Sequence, residues 1–252
     1  MTSPPVPLSR GERGNDSPLP FREGGQGVRS VSLFRLGRVE YGEAWALQQR
    51  LAAARRAGQI EDTLILLEHP HVYTLGRRAD EAHVLADPSR LEEIGAALFR
   101  IDRGGDVTYH GPGQLVGYPI LDLKQRGADV HQYVRDLEET IIRTLSDYGI
   151  ESGRSEVNAG VWVGEEKVAA IGVKVAHWVT SHGFALNVDP DLAYFREIVP
   201  CGLHDRGVTS MSRLLGRRVD LDEAAARLGR RFAEVFGCEL STSAVADLLP
   251  DA

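Results

Sequence analysis

Three strand-like segments lie close together between residues 160 and 188, and they constrain the fold more than any other part of the sequence. The run GVWVGEEKVAAIGVKV (160–175) predicts two strands joined by a hairpin at Gly164-Glu165-Glu166, and VTSHGFALNV (179–188) predicts a third strand beside them. Connections this short join antiparallel neighbours, because a parallel crossover needs a dozen residues or more. The sequence therefore argues against a doubly wound parallel sheet.

The remaining segments mix helical and strand periodicity without strict alternation. Strands are predicted at 31–37, 63–70 and 115–123, and helices at 42–58, from Pro88 through Leu98, at 131–148 and from Asp220 onward. Pro119 interrupts the third of these strands, which predicts an edge position or a bulge. Together these patterns predict an α+β fold in which a mixed β-sheet is flanked by helices.

Composition excludes several classes of protein. The 252 residues include 29 Lys and Arg against 36 Asp and Glu, a net charge of −7, which argues against general nucleic-acid binding. No apolar run is long enough to cross a membrane. Residues 1–30, rich in Pro, Gly, Ser and Arg, predict a disordered tail, and residues 31–252 predict a single domain.

The two cysteines differ in their surroundings. Cys201 lies between Pro200 and Gly202 in IVPCGL, a bend that presents a thiol and does not bury it. Cys238, in VFGCEL after the last predicted helix, is typical of a packing residue. Two cysteines this far apart form neither a disulfide framework nor a zinc pattern, so we expect no metal and a reducing, cytoplasmic location.

The densest glycine-containing segment is RGGDVTYHGPGQ (103–114), between two strand-like runs. It contains neither GxxxxGK[ST] nor GxGxxG, so it is not a phosphate loop. Glycines let backbone amides approach a ligand, although a tight structural turn explains them equally well. Arg103, Tyr109 and His110 in the same segment favour a binding loop.

Two lysines, Lys167 and Lys174, lie within the apolar alternation of the second hairpin strand. Most lysines are solvated surface groups, and that reading stays open for each of them. A lysine beside a reactive thiol has a purpose, because its charge stabilises the thiolate and its amine exchanges protons when desolvated. Among the eight histidines, His110 and His182 lie in glycine-containing segments, and no spacing indicates a metal site.

Together, RGGDVTYHGPGQ, EEKVAAIGVKV, SHGFALNV and IVPCGL resemble the octanoyl-acyl-carrier-protein–protein octanoyltransferase family of lipoate biosynthesis, as does EHPHVYTLGRR (68–78). The resemblance covers roughly residues 31–215. It implies the catalytic fold of the biotin and lipoate protein ligases, with residues 31–252 as the acyltransferase domain. It also implies catalysis by a Cys201–Lys167 pair without a cofactor. The substrate pocket that it implies is formed by Arg103, Gly104, Gly105, Asp106, Val107, Thr108, Tyr109, His110, Ala170, Ile171, Gly172, Gly183, Phe184 and Ala185.

The implied reaction moves a medium-chain acyl group from acyl carrier protein to Cys201 as a thioester, and then to a lysine of a lipoyl domain. Lys167 stabilises the thiolate and acts as general acid and base. The implied acceptors are the lipoyl domains of 2-oxoacid dehydrogenase complexes and the glycine cleavage H protein. Arg77-Arg78 and Arg213, Arg217 and Arg218 are candidates for a docking patch, or ordinary solvated charges.

Three other functions compete with this hypothesis. An ATP-dependent lipoate or biotin protein ligase has the same fold but needs no cysteine nucleophile, so Cys201 favours the transferase. A non-catalytic binding module has no need of both Cys201 and Lys167. A redox-active thiol protein lacks a nearby resolving cysteine here.

Overall fold

The computed structural model describes residues 29–156, 158–199, 207–242 and 248. Its strands are β1 (Arg29–Arg38), β2 (Asp62–Glu68), β3 (Val72–Leu75), β4 (Ala97–Arg100), β5 (Val107–His110), β6 (Gln114–Ile120), β7 (Gly153–Arg154), β8 (Gly160–Val163), β9 (Glu166–Ala176), β10 (Val179–Asn187), β11 (Gly207–Val208) and β12 (Cys238–Thr242). Its α-helices are α1 (Tyr41–Arg56), α2 (Pro88–Glu93), α3 (Val130–Ser146), α4 (Met211–Leu215) and α5 (Leu221–Phe236). Short 3-10 helices occur at Glu81–His83, Leu123–Arg126 and Leu192–Glu197. The predicted tail, residues 1–30, lies outside the described residues except for its last two positions.

Within the described residues, a nine-stranded mixed sheet has the order β12-β1-β2-β6-β10-β9-β8-β7, with β11 paired to β9. The pairs from β2 to β7 along this order are antiparallel, whereas β1 is parallel to both β2 and β12. A smaller sheet has the order β4-β3-β5. The predicted hairpins β8–β9 and β9–β10 are present, and the α+β prediction is confirmed.

Helices α3 and α5 cover one face of the large sheet. Leu137 and Ile141 of α3 and Phe232 of α5 are buried in one cluster with Leu115 and Leu186 of the central strands. Apolar residues at helical spacing place these side chains on one stripe, and their burial supplies the main favourable free energy of folding.

On the opposite face, α1 packs through Ala44 and Leu51 against Ile65 of β2 and Val116 of β6. The small sheet lies beside α1, since Tyr41 of α1 is buried with Val72 of β3. The space between the small sheet and this face contains the candidate site.

The predicted helix through Leu98 is wrong beyond its first turns. Asp87 caps α2 as expected, its side chain accepting from the Arg90 amide at 2.8 Å. The helix ends at Glu93, because Gly95 adopts a left-handed conformation with φ of +62° and the Ala96 amide donates to the Leu91 carbonyl. Ala97–Arg100 then forms β4, parallel to β3.

The predicted edge position of Pro119 is also wrong, because β6 lies between β2 and β10. The β6–β10 ladder runs only as far as the pair Gly117–Phe184. Beyond it, the Thr180 hydroxyl donates to the Pro119 carbonyl at 2.6 Å and accepts from the Leu121 amide at 2.9 Å. A side chain thus replaces the ladder bonds that a proline disrupts.

Candidate active site

The candidate site is a cavity of about 590 Å³ between the large sheet and the small one. All fourteen residues predicted to bind substrate line this cavity, and so does Lys167. They come from the 103–106 loop, β5, β9 and β10, and the first and last of them, Arg103 and Ala185, are 82 residues apart in sequence. The structure brings them together, while their role in binding stays a prediction.

Lys167 lies near one end of the cavity floor, on β9. Its ammonium group donates to Asn158 Oδ1 at 2.8 Å and lies 4.8 Å from the centre of the Trp162 ring. The neighbouring strand β11 pairs Val208 with Lys167, and the Thr209 amide donates to the Lys167 carbonyl at 3.0 Å. These contacts fix both the backbone and the side chain of Lys167.

Gly160 allows Asn158 to reach Lys167. It has a φ of +138°, and a Cβ there would lie only 2.5 Å from the Ala169 carbonyl oxygen. Its amide donates to Glu138 Oε1 of α3 at 3.0 Å, which ties the start of β8 to the helix behind the sheet. Any other residue at position 160 would push β8 away from β9 and displace Asn158.

A buried chain of amide groups holds β11 in place. The Gln114 side chain donates to the Tyr109 carbonyl at 3.1 Å and to Asn187 Oδ1 at 3.0 Å. The Asn187 side chain then donates to the Thr209 carbonyl at 2.9 Å. Strands β5, β6 and β10 therefore position the residues that follow β11.

The glycine-rich loop forms the opposite wall of the cavity. The Arg103 guanidinium donates to the Thr74 carbonyl at 2.7 Å and to its hydroxyl at 2.9 Å. A Cβ at Gly172 would lie 2.9 Å from Arg103 Cδ, so the absence of a side chain there lets the arginine cross β9. The Gly104 amide donates to the Val173 carbonyl at 3.0 Å, which joins the loop to the large sheet.

A charged cluster lies beside His182, one of the residues that line the cavity. The Asp102 carboxylate accepts from the Lys174 ammonium and, at 2.8 Å, from His182 Nε2. Burial alone would raise the pKa of Asp102, but these two hydrogen bonds outweigh it and lower the pKa below its usual value. His182 has a left-handed φ of +56°, and its amide donates to Gln48 Oε1 at 2.8 Å.

The histidines around the cavity are predominantly neutral at pH 7. Burial lowers the pKa of His69 to about 4, although the hydrogen bond from its Nδ1–H to the Val39 carbonyl acts in the opposite direction. Its Nε2 accepts from the Tyr118 hydroxyl. Burial also lowers the pKa of His110 well below the usual value and lowers that of His182, where Asp102 only partly offsets the effect. Neutral imidazole rings suit an uncharged part of a ligand.

Small residues leave room in the middle of the cavity floor. Ala170 of β9 is paired with Ala185 of β10, and both side chains are single methyl groups. Phe184, the next residue, packs on Gly117, where a Cβ would overlap its ring. The central floor is thus apolar and open, which is suited to a hydrocarbon chain.

Cys201 lies outside the described residues, and the structure describes both sides of its segment. Before it, the Val199 amide donates to the His83 carbonyl at 2.8 Å, and Ile198 forms a β-bridge with Val84. After it, Gly207 pairs with Glu166, the neighbour of Lys167. Cys238 is buried, and burial raises the pKa of its thiol, as expected for a packing residue.

Sequence reasoning missed several residues of the site. Asn158 and Trp162 contact the Lys167 ammonium, and Tyr41 and Asn187 line the cavity. Tyr41, Asn158 and Trp162 lie outside the segments quoted for the family resemblance, and Asn187 lies in SHGFALNV, where the motif does not single it out. The one available signal is the isolated Gly160 at a strand start, which indicates close backbone approach.

Within the part of the chain that the structure describes, no cluster of three or more His, Cys, Asp or Glu side chains could hold a metal ion. None of the helices in those segments is long and apolar enough to cross a membrane.

Comparison with known proteins gives consistent matches. Residues 40–233 match the family model of the lipoyl protein ligase A/B catalytic domain. The chain is 57% identical over 213 residues to an octanoyltransferase of Solibacter usitatus, covering 84% of this chain and 96% of that protein. It is 52% identical over 222 residues to an octanoyltransferase of Chloroflexus aurantiacus, covering 87% of this chain and all of that one.

The fold is also known from solved structures. The bipartite lipoate protein ligase of Thermoplasma acidophilum superposes with a TM-score of 0.68, covering 87% of this chain and 89% of that one. Sequence identity between the two is 19%, so this likeness concerns the fold alone. It confirms the predicted resemblance to the catalytic fold of the lipoate ligases.

Proposed function

The chain belongs to the lipoyl protein ligase A/B catalytic domain family and, within it, to the octanoyltransferases, and from this premise we propose that it transfers an octanoyl group through a thioester on Cys201. It is an acyltransferase. We assign the reaction to residues 31–252, with acyl carrier protein as donor and a lysine of a lipoyl domain as acceptor. The observation that carries the proposal is the position of Lys167 in the cavity and beside β11, the strand that comes next after residues 200–206, which lie outside the described part of the chain and include Cys201.

The first half-reaction exchanges one thioester for another. The Cys201 thiolate attacks the acyl carbonyl, a new C–S bond forms, and the bond to the carrier's pantetheine sulfur breaks. The departing sulfur leaves as a thiolate and takes up a proton, which we assign to the Lys167 ammonium as general acid, so that Lys167 becomes a neutral amine. One thioester replaces another of similar energy, so the step needs no ATP.

The second half-reaction forms an amide. The ε-amine of the acceptor lysine attacks the acyl-enzyme carbonyl, the C–N bond forms, and the Cys201 thiolate leaves. The attacking nitrogen loses one proton, and we assign its transfer to Lys167. The positive charge of Lys167 then stabilises the regenerated thiolate.

The surroundings of Lys167 support this dual role. Asn158 Oδ1 and the Trp162 ring hold the ammonium at one position with groups that carry no net charge. A carboxylate at that distance would favour the protonated lysine more strongly and oppose release of the proton. The contacts therefore orient the amine while leaving its proton exchangeable.

The cavity offers the acyl chain a suitable place beside Lys167. The Ala170–Ala185 floor provides an apolar channel along β9, bounded by the 103–106 loop and His182. Burial of a saturated chain there is favourable at about 0.8 kcal/mol per methylene group. The neutral histidines at its far end avoid the cost of leaving a charge against hydrocarbon.

Intact-mass spectrometry tests the proposal directly. We expect the protein mixed with octanoyl-acyl carrier protein, without ATP, to gain the mass of one acyl group. The adduct should be released by hydroxylamine and be absent from Cys201→Ser. Acceptor lysine modification that requires free octanoate and ATP would instead assign the chain to the ligases, and no modification by either route would favour a binding module.

A further inference from the structure

Arg77 and Arg78 are consecutive arginines, and Arg78 lines the cavity. Arg77 and Arg78 follow β3 and are exposed, and no described carboxylate lies within ion-pair distance of either. By contrast, Arg90, Arg100 and Arg213 each contact at least one glutamate. In a chain with a net charge of −7, such a pair is a local cationic site.

The backbone fixes these arginines relative to the cavity. The Arg77 amide donates to the Arg103 carbonyl at 3.0 Å, and the Arg78 amide donates to the Gly105 carbonyl at 3.3 Å. Both acceptors belong to the glycine-rich loop that forms the cavity wall, and Arg78 itself lines the cavity. An anion bound by the pair would therefore lie at a constant distance from the reacting end.

We propose that Arg77 and Arg78 bind the phosphodiester of the phosphopantetheine arm that presents the donor thioester. This inference rests on the proposed function. A guanidinium group binds two phosphate oxygens at once, which makes arginine the preferred partner of a phosphate in a fixed position.

The length of the arm fits this arrangement. Thirteen covalent bonds separate the thioester sulfur from the phosphorus, which is about 15 Å when extended, at the rise of an extended chain. Along β9, Lys167 lies six residues, about 20 Å, from Val173. The Val173 carbonyl accepts from Gly104 of the loop that holds Arg77 and Arg78. An extended arm therefore covers most of this stretch, and the long side chains of the arginines have to cover the rest.

A comparison of three acyl donors distinguishes contact with the phosphate from contact with the carrier protein and from a structural effect. Initial rates would be measured with octanoyl-pantetheine, octanoyl-phosphopantetheine and octanoyl-acyl carrier protein, for the wild type and the double variant Arg77→Ala/Arg78→Ala. We expect the double variant to lower kcat/KM about tenfold or more for the two phosphate-bearing donors, relative to octanoyl-pantetheine. Arg50→Ala/Arg230→Ala removes the same charge from exposed positions on α1 and α5, and it should leave these ratios unchanged.

Other outcomes would overturn the proposal. A loss with the carrier protein alone would show contact with protein side chains, and an equal loss with all three donors would show a structural effect on the loop. Equal rates for the wild type and the double variant with all three donors would show that the two arginines have no role in donor binding. Calorimetric titration with unacylated phosphopantetheine and pantetheine needs no turnover, so it separates this inference from the proposed function. The wild type should bind the phosphorylated compound more tightly, and the double variant should bind both alike.

Discussion

Lys167 and Lys174 lie on the same strand, β9, yet their partners differ in kind. The Lys174 ammonium contacts the Asp102 carboxylate, which also accepts from His182. The Lys167 ammonium contacts an amide oxygen of Asn158 and the ring of Trp162. Lys174 contacts a carboxylate, whereas Lys167 contacts an amide oxygen and an aromatic ring.

This difference separates a structural lysine from one suited to proton transfer. A fixed carboxylate favours the protonated amine at every stage of a reaction. In the proposed mechanism, the anionic partner of Lys167 is the Cys201 thiolate, which disappears when the acyl-enzyme forms. The proton on Lys167 is then held less tightly at the stage when the acceptor amine must be deprotonated.

The largest expected effect comes from Lys167→Arg. The guanidinium group keeps a positive charge beside the thiol but does not release its proton at neutral pH. We expect kcat for acyl transfer to the acceptor to fall by about 10² to 10⁴, while acyl-enzyme still forms and accumulates in intact-mass spectra. Turnover within a few-fold of the wild type would contradict the general-base role.

The second-largest effect is expected from Asn158→Asp, which tests whether a carboxylate partner would make Lys167 behave like Lys174. Asn158→Asp places a negative charge at hydrogen-bond distance from the ammonium, which raises the lysine pKa. The rising limb of the kcat profile should move to higher pH by about one unit, with about tenfold lower activity near neutrality. Asn158→Ala serves as the control, because it should lower activity without this upward shift.

A smaller effect is expected on stability at the other end of β9. Asp102→Asn removes the charge shared by Lys174 and His182, and because Asp102 is partly exposed we expect a loss of about 1 kcal/mol at pH 7. The pKa of Asp102 is lowered by folding, so its stabilisation is complete above the unfolded-state value of about 3.9. It is lost as the pH falls through the lower folded-state pKa.

Urea unfolding of the wild type and Asp102→Asn at several pH values measures this difference. The two unfolding free energies should converge at the acid end of the range and stay apart at neutral pH. A difference that is the same at all pH values would mean that the charge of Asp102 does not contribute.

The smallest effect should come from Lys174→Arg. The guanidinium keeps both the charge and the hydrogen bond to Asp102, so we expect a change of less than about 0.5 kcal/mol in unfolding free energy and little change in kcat. Comparison with Lys167→Arg applies one substitution to both lysines. Similar losses of activity at the two positions would remove the functional distinction between them.

Most of the large sheet could be predicted because its signals are local. The β8–β9–β10 hairpins follow from short connections, and α3 and α5 follow from apolar residues at helical spacing. The fourteen residues around the cavity were assigned from motifs, and their convergence depends on strand order. The residue patterns alone do not predict that strand order.

The errors come from contacts distant in sequence. Pro119 is tolerated inside the sheet because the hydroxyl of Thr180, 61 residues later, donates to the Pro119 carbonyl and accepts from the Leu121 amide. The small sheet was missed because β4 is formed by Ala97–Arg100, a segment whose strand partner lies more than twenty residues earlier. The contact between Asn158 and Lys167 depends on backbone approach at Gly160, which leaves little trace in side-chain patterns.

The parallel pairing of β1 with β12 has a consequence for folding order. Arg29 is paired with Cys238, so the sheet cannot be completed until almost the whole chain is available. Pairings of such long range form slowly, because a large loop must be closed before any contact is gained. During synthesis, one edge of β1 therefore stays open until the last strand leaves the ribosome. A chain interrupted before residue 238 would expose that edge to other unpaired strands.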